Sequence, residues 1–114
     1  MNGADAEELA LLHLLKKGLQ TVARNWRCRG GELDLVMRDG ETLVIAEVRK
    51  RSSNAFGGAA ASVDARKRER IVQSTQRFLM DHPQFSKAPV RFDVLTLDRE
   101  DRIEWIKAAF DSDG

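Results

Sequence analysis

The stretch that most limits what this chain can become runs from Gly30 to Arg51, GGELDLVMRDGETLVIAEVRKR. Gly31–Arg38 and Thr42–Arg49 each place apolar residues at every second position, the period of a strand with one buried face. Between them, Asp39-Gly40 is a hairpin signal, because both central residues of a type I′ turn take positive φ. A chain with such a hairpin needs further strands or a helix to cover its apolar face. Three carboxylates break the pattern: Glu32, Asp34 and Glu47. Three cations, Arg49, Lys50 and Arg51, follow the last of them after Val48.

With Asp39-Gly40 as the turn, Arg38 pairs with Glu41, Asp34 falls opposite Ile45, and Glu32 falls opposite Glu47. Cross-strand partners share a face, as do residues two apart on one strand. Glu32, Asp34, Glu47 and Arg49 are therefore expected on one face. Leu33, Leu35, Met37, Val44, Ala46 and Val48 are expected on the other, and Lys50 also points away from the carboxylates. Directly opposed like charges destabilise a sheet, so something must compensate. A divalent cation bound through oxygen is one solution. Arg49 bridging the carboxylates is a second, and Glu32 splaying into solvent is a third.

The flanking sequence supplies helices and further strands. Asp5 to Lys17 reads as a helix with an apolar face of Leu9, Leu12 and Leu15, widened by Leu11 and Leu14 and closed by Gly18. Thr21–Trp26 is a short strand. Ser52–Ala61 is a Gly/Ala/Ser-rich loop. Ser62 or Asp64 caps a second helix that runs to Met80, with Ile71, Val72, Thr75, Phe78 and Leu79 buried, and His82-Pro83 ends it. Val90–Leu97 and Ile103–Ala108 complete an α-β-β-β-α-β-β order, an α/β fold with a mixed sheet of about five strands flanked by helices. The whole chain, 1–114, reads as a single domain.

Composition narrows the class. At 114 residues, 42% hydrophobic and 32% charged, the chain has the balance of a soluble globular protein. It holds no apolar run near the ~20 residues of a membrane helix and no secretory segment, so a cytoplasmic location without a membrane partner is expected. One cysteine, Cys28, and two histidines give no zinc spacing. The net charge is only +1, but the ends are acidic and the middle basic. Arg66, Arg70, Gln73 and Arg77 recur on one face of the second helix, where a phosphate backbone can lie. Lys67 and Arg51 add to the same positive region. An ordinary solvated surface is the bland alternative. Trp26 and Trp105 are expected to pack in the core or at an edge rather than stack on bases.

GELDLV followed by EVRKR resembles the G-E-(I/L)-D-L-(I/V) … E-V-K-x-R signature of the YraN-like family of small bacterial proteins. GLQTVARNWRCR, FGGAAASVDARKRERI and RFDVL resemble its other segments, so the likeness spans nearly the whole chain. That family is similar in turn to the restriction-endonuclease-like fold and to archaeal Holliday-junction resolvases. The resemblance implies a PD-(D/E)xK site: Asp34 and Glu47 as catalytic carboxylates and metal ligands, Glu7 or its neighbour Glu8 as a ligand from the first helix, and the Val48 carbonyl as a further one. Arg49 stands where the pattern has Lys. Arg51, Arg66, Lys67, Arg70, Gln73 and Arg77 are the expected nucleic-acid contacts. The implied activity is Mg²⁺- or Mn²⁺-dependent phosphodiester hydrolysis on DNA, including branched or structured forms, in replication, repair or recombination, with no other cofactor. Arg49 keeps two alternatives open: an inactive nuclease-like nucleic-acid binding or adaptor module, and an interaction domain in which Arg49 alone neutralises the carboxylates. Resolvase-like relatives work as dimers, which makes a homodimer a further expectation, although no interface is named by the sequence.

Overall fold

The computed structural model describes residues 3–51 and 63–112. Its elements are α1 (Gly3–Lys16), β1 (Gln20–Cys28), β2 (Gly31–Asp39), β3 (Thr42–Lys50), α2 (Ala65–Asp81), β4 (Val90–Leu97) and β5 (Ile103–Phe110), with a short 3₁₀ turn at Pro83–Phe85. The expected α-β-β-β-α-β-β order holds, with five strands in one sheet ordered β1-β2-β3-β4-β5. Neighbours are antiparallel except β3 and β4, which run parallel. Parallel neighbours require a crossover, and α2 lies in it. No helix among the described residues is long and apolar enough to cross a membrane.

Each helix covers one face of the sheet. On the α1 side, Ala10, Leu11, Leu14 and Leu19 pack with Leu35, Met37, Val44, Ala46 and Leu95. On the α2 side, Ile71 and Phe78 pack with Leu33, Leu43, Ile45, Phe92, Val94 and Phe110. The buried stripe of α1 departs from expectation. It runs through Ala6, Ala10, Leu11 and Leu14, while Leu12 is 53% and Leu15 41% exposed. The alanines fall one turn apart on the side toward the sheet, so small residues form the contact and two leucines are left outside. In α2, Ile71, Thr75 and Phe78 are buried as expected, and Ser74 joins them, while Val72 and Leu79 pack partly.

Asp64 caps α2 by accepting a hydrogen bond from the Lys67 backbone N–H at 2.9 Å. The alternative cap, Ser62, and the Phe56-Gly57-Gly58 loop lie outside the described residues. Asp64→Ala removes one of the few acceptors available to the first-turn N–H groups. Thermal or urea unfolding should show a loss of about 1 kcal/mol.

The β2–β3 hairpin forms, but not in the expected register. Asp39 pairs with Thr42, Met37 with Val44, and Leu35 with Ala46. The turn residues are thus Gly40 and Glu41, with Gly40 alone at positive φ, +62°. Glycine at the first central position suits a type II′ turn, which demands no positive φ from its second residue. Asp39 stays in the strand, where its carboxylate meets Arg91 of β4 at 3.2 Å. Relative to expectation, the partner of each β2 residue moves by two positions along β3. A two-residue shift preserves which face every side chain occupies.

Candidate active site: a buried carboxylate pair

β3 alternates regularly. Leu43 and Ile45 face α2, while Val44 and Ala46 face α1. That alternation carries Glu47 to the α2 side, where it is 4% exposed. β2 does not alternate regularly. Leu33 packs on the α2 side, but Leu35 and Met37 pack on the α1 side. The expected apolar face containing Leu33, Leu35 and Met37 together is therefore corrected: the pattern breaks at Asp34. Across from it, Asn25 of β1 has φ +48°, and the β1–β2 pairing skips from Arg24–Leu35 to Trp26–Leu33. Asn tolerates this left-handed conformation better than most residues. A local irregularity of this kind re-aims a side chain next to a site, and here it is Asp34 that is re-aimed.

Asp34 is 7% exposed. The β2–β3 pairing ends at Leu35–Ala46, and one step further the Val48 backbone N–H donates to Asp34 Oδ2 at 3.0 Å. The side chain thus replaces a strand carbonyl as acceptor. The Asp34 and Glu47 carboxyls lie close enough for each to act on the ionisation of the other. Burial, then the charge of Asp34, pushes the Glu47 carboxyl up to about 8. Burial also raises Asp34, against the lowering effect of the Val48 N–H. Two carboxyls in contact and out of water cannot both ionise cheaply, so one proton is retained between them.

The cation paired with this site is Lys67. Lys67, from the first turn of α2, places its Nζ 3.3 Å from Glu47 Oε1. Arg49 is half-buried at the next β3 position on the same side and forms no ion pair with a described residue. Lys50 lies apart, 3.8 Å from Asp101. Sequence reasoning named Lys67 only as a surface nucleic-acid contact. The available signal was its place in the first turn after the Asp64 cap, but which strand residue it meets depends on how α2 docks.

The two helical glutamates separate cleanly. Glu8 pairs with Arg24 at 2.7 Å. Glu7 faces inward: burial raises its carboxyl, the charge of Asp34 raises it further, and the Asn25 amide opposes both. Glu7 therefore feels Asp34 from the α1 side, while Lys67 lowers Asp34 from the α2 side. No three His, Cys, Asp or Glu side chains among the described residues converge as a ready-made metal cage. Glu32 does not oppose Glu47. It is exposed and lies 3.3 Å from Arg27, the solvent-facing outcome among the alternatives.

Of the remaining basic residues, Arg66 and Arg70 are exposed on α2. Arg77 lies 3.5 Å from Asp81, and Arg51 lies 3.6 Å from Glu104. Gln73 makes a long contact to Glu69. Trp26 packs edge-on against Phe78, and the Trp105 indole N–H donates to Asp93 at 2.9 Å, so both tryptophans serve packing.

The fold and site define a small α/β protein with a buried carboxylate pair at the end of a hairpin and a helical lysine against it. The chain belongs to the YraN-like family: the family model described as "Uncharacterised protein family UPF0102" matches residues 6–97. A UPF0102 protein of Pseudomonas paraeruginosa is 51% identical over 115 aligned positions, covering 96% of this chain and 92% of its own length. UPF0102 proteins of Methylobacillus flagellatus and Stutzerimonas stutzeri are 51% and 47% identical, each with 95% of its length covered, and span 95% and 97% of this chain.

Proposed function

We propose that this protein is a cytoplasmic, divalent-cation-dependent nuclease that hydrolyses phosphodiesters in DNA, including branched or structured forms. The observation that carries the reading is the Asp34–Glu47 pair with Lys67 Nζ 3.3 Å from Glu47. The donor set suits Mg²⁺ or Mn²⁺: hard oxygens, buried, and retaining a proton that a cation would replace. Mg²⁺ is commonly held by one or two carboxylates with water and substrate oxygens completing its shell, so two carboxylates suffice, with Glu7 as an outer contributor. When bound, such an ion neutralises charge on a phosphodiester and makes a water more acidic.

The chain's own groups have separable tasks in this reading. Val48 N–H fixes the orientation of the Asp34 carboxylate. Lys67 takes the position of the active-site lysine from the helix, rather than from the strand position occupied by Arg49. An ammonium there holds negative charge near the phosphate and can exchange a proton. Arg49 can only hold charge, since a guanidinium does not deprotonate in proteins. The exposed arginines of α2 suit the nucleic-acid backbone through charge alone.

The inactive binding module remains the second reading, favoured by Arg49 itself. Cleavage of linear, flapped and four-way DNA with Mg²⁺ or Mn²⁺ separates the two. The wild type should cut, and both Glu47→Gln and Lys67→Met should lose at least about 100-fold, the scale of one positioned charge or proton-transfer group. Arg49→Lys should cut within a few-fold of wild type. Cleavage that survives Glu47→Gln would remove the proposed site. If Arg49→Lys is the only active form, the natural protein is a binding module.

A further inference from the structure

Beside the carboxylate pair, a trough runs between the β1–β2 turn and α2. Two adjoining clefts, about 420 Å³ and 460 Å³, make it up and share Arg27, Cys28 and Gly30. The first also takes in Lys67 and Arg70, and so opens beside Glu47. The second continues to Arg29 and Arg77. The turn seats closely on the helix: a Cβ built on Gly31 would lie 2.6 Å from Ser74 Oγ, so the trough has a closed floor.

Its charge is lopsided. Among the described residues, five cationic side chains line it against two acidic ones, Glu32 and Asp81, in a chain whose net charge is only +1. Arg29 and Arg70 form no ion pair with a described residue. The Arg27–Glu32 and Arg77–Asp81 pairs are exposed, at 3.3 Å and 3.5 Å. Exposed pairs are weak and readily exchange one anion for another. Among the described residues no aromatic side chain lines either cleft, so these residues hold a ligand by charge and not by stacking. Each cleft has the volume of a small-molecule site, which admits an unpaired nucleotide but not a stack of base pairs.

We propose that this trough is the track along which one unpaired nucleic-acid strand, gripped by its phosphates, reaches the Asp34–Glu47 site. The proposal rests on the nucleic-acid reading above and narrows its substrate to DNA with a single-stranded arm. Arg27, at the end of β1, and Arg29, in the turn that follows it, form the wall opposite Arg70 and Arg77. Recognition is sequence-independent and sensitive to salt.

The test is fluorescence anisotropy in EDTA, so that binding is read without cleavage, using labelled oligothymidylate and a blunt duplex of equal length. The wild type should prefer the single strand. Arg27→Ala/Arg29→Ala should weaken oligothymidylate binding about 10-fold at low salt and reduce the slope of log K against log salt by about 1.4, two lost contacts at ~0.7 each. Lys16→Ala/Lys17→Ala, at the end of α1, should change neither. Circular dichroism melts check that both variants fold. Unchanged affinity and slope in the arginine variant, or tighter binding of the duplex, would overturn the track. Binding that behaves as expected beside absent cleavage would sink the nuclease reading and leave the track standing. Cleavage that persists with no binding loss in the arginine variant would do the reverse.

Discussion

Glu47→Gln should make the protein more stable above neutrality while removing the proposed activity. The carboxyl sits near 8 in the folded chain against an ordinary 4.5. Between those values the unfolded chain releases the Glu47 proton and the folded chain keeps it. Raising the pH therefore favours unfolding, and the stability present below pH 4.5 drains away until about pH 8. Each pH unit inside that window costs up to about 1.4 kcal/mol. Because the pair titrates together, the accumulated loss should be on the order of 2–4 kcal/mol. The glutamine can still donate to Asp34 but cannot titrate. Urea unfolding of both proteins at pH 5 and pH 8 gives the result as a double difference, in which other titrating groups such as His13 cancel. Asp34, itself raised by burial, leaves a smaller slope in the variant. Equal pH dependence in the two proteins would mean that Glu47 is ionised when folded. Added Mg²⁺ should flatten the wild-type curve and leave that of the variant unchanged.

The largest stability loss should come from a carboxylate away from the site. Asp93 of β4 is fully buried and receives four hydrogen bonds. Arg91 donates to it through two guanidinium nitrogens at 3.0 and 3.1 Å, and Trp105 Nε1 and the Ala108 N–H donate at 2.9 Å. Ala108 holds φ +51°, and the β4–β5 pairing shifts register between Phe92 and Val94. Asp93 therefore ties the edge strand β5 to the sheet where its ladder is interrupted. Asp93→Ala would leave two N–H donors without their acceptor and the Arg91 guanidinium with Asp39 alone, and breaking a buried pair in this way costs about 3–5 kcal/mol. That is a large part of the stability of a small domain. Arg77→Ala, which removes an exposed pair on α2, should change stability by less than about 1 kcal/mol. Comparable losses in the two variants would mean that Asp93 is not the tie.

Much of this architecture could be read from local pattern, and the failures share a cause. The Val90–Leu97 strand, the Asp64-capped helix and the meander of three strands follow from period and capping, which are properties of neighbouring residues. Where α1 turns its stripe is not such a property. By period alone Leu12 and Leu15 suit the buried stripe, and only the docking of the helix on the sheet selects Ala6 and Ala10. The Asp39-Gly40 reading failed because Asp39 has a partner on β4, distant in sequence. At the site, strand parity rightly brought Asp34 and Glu47 together, since a two-residue register error leaves the faces unchanged. Parity failed for Leu33, because the break at Asp34 is coordinated with Asn25 on the neighbouring strand. Lys67 was visible only as one more cation in a basic helix. Its meeting with Glu47 comes from the crossover of α2 between β3 and β4.

That crossover also bears on how the protein folds. Asp34 and Glu47 belong to consecutive strands joined by a tight turn, so they meet through contacts that close early. In an open hairpin both carboxyls remain hydrated, and their repulsion is mild. Dehydration of Glu47 on its helical face comes later, when α2 docks over the strands, and that event also delivers the Lys67 ammonium. Desolvation and its remedy thus arrive together, and the route to the native state need not pass through a species with two dry, unrelieved carboxylates.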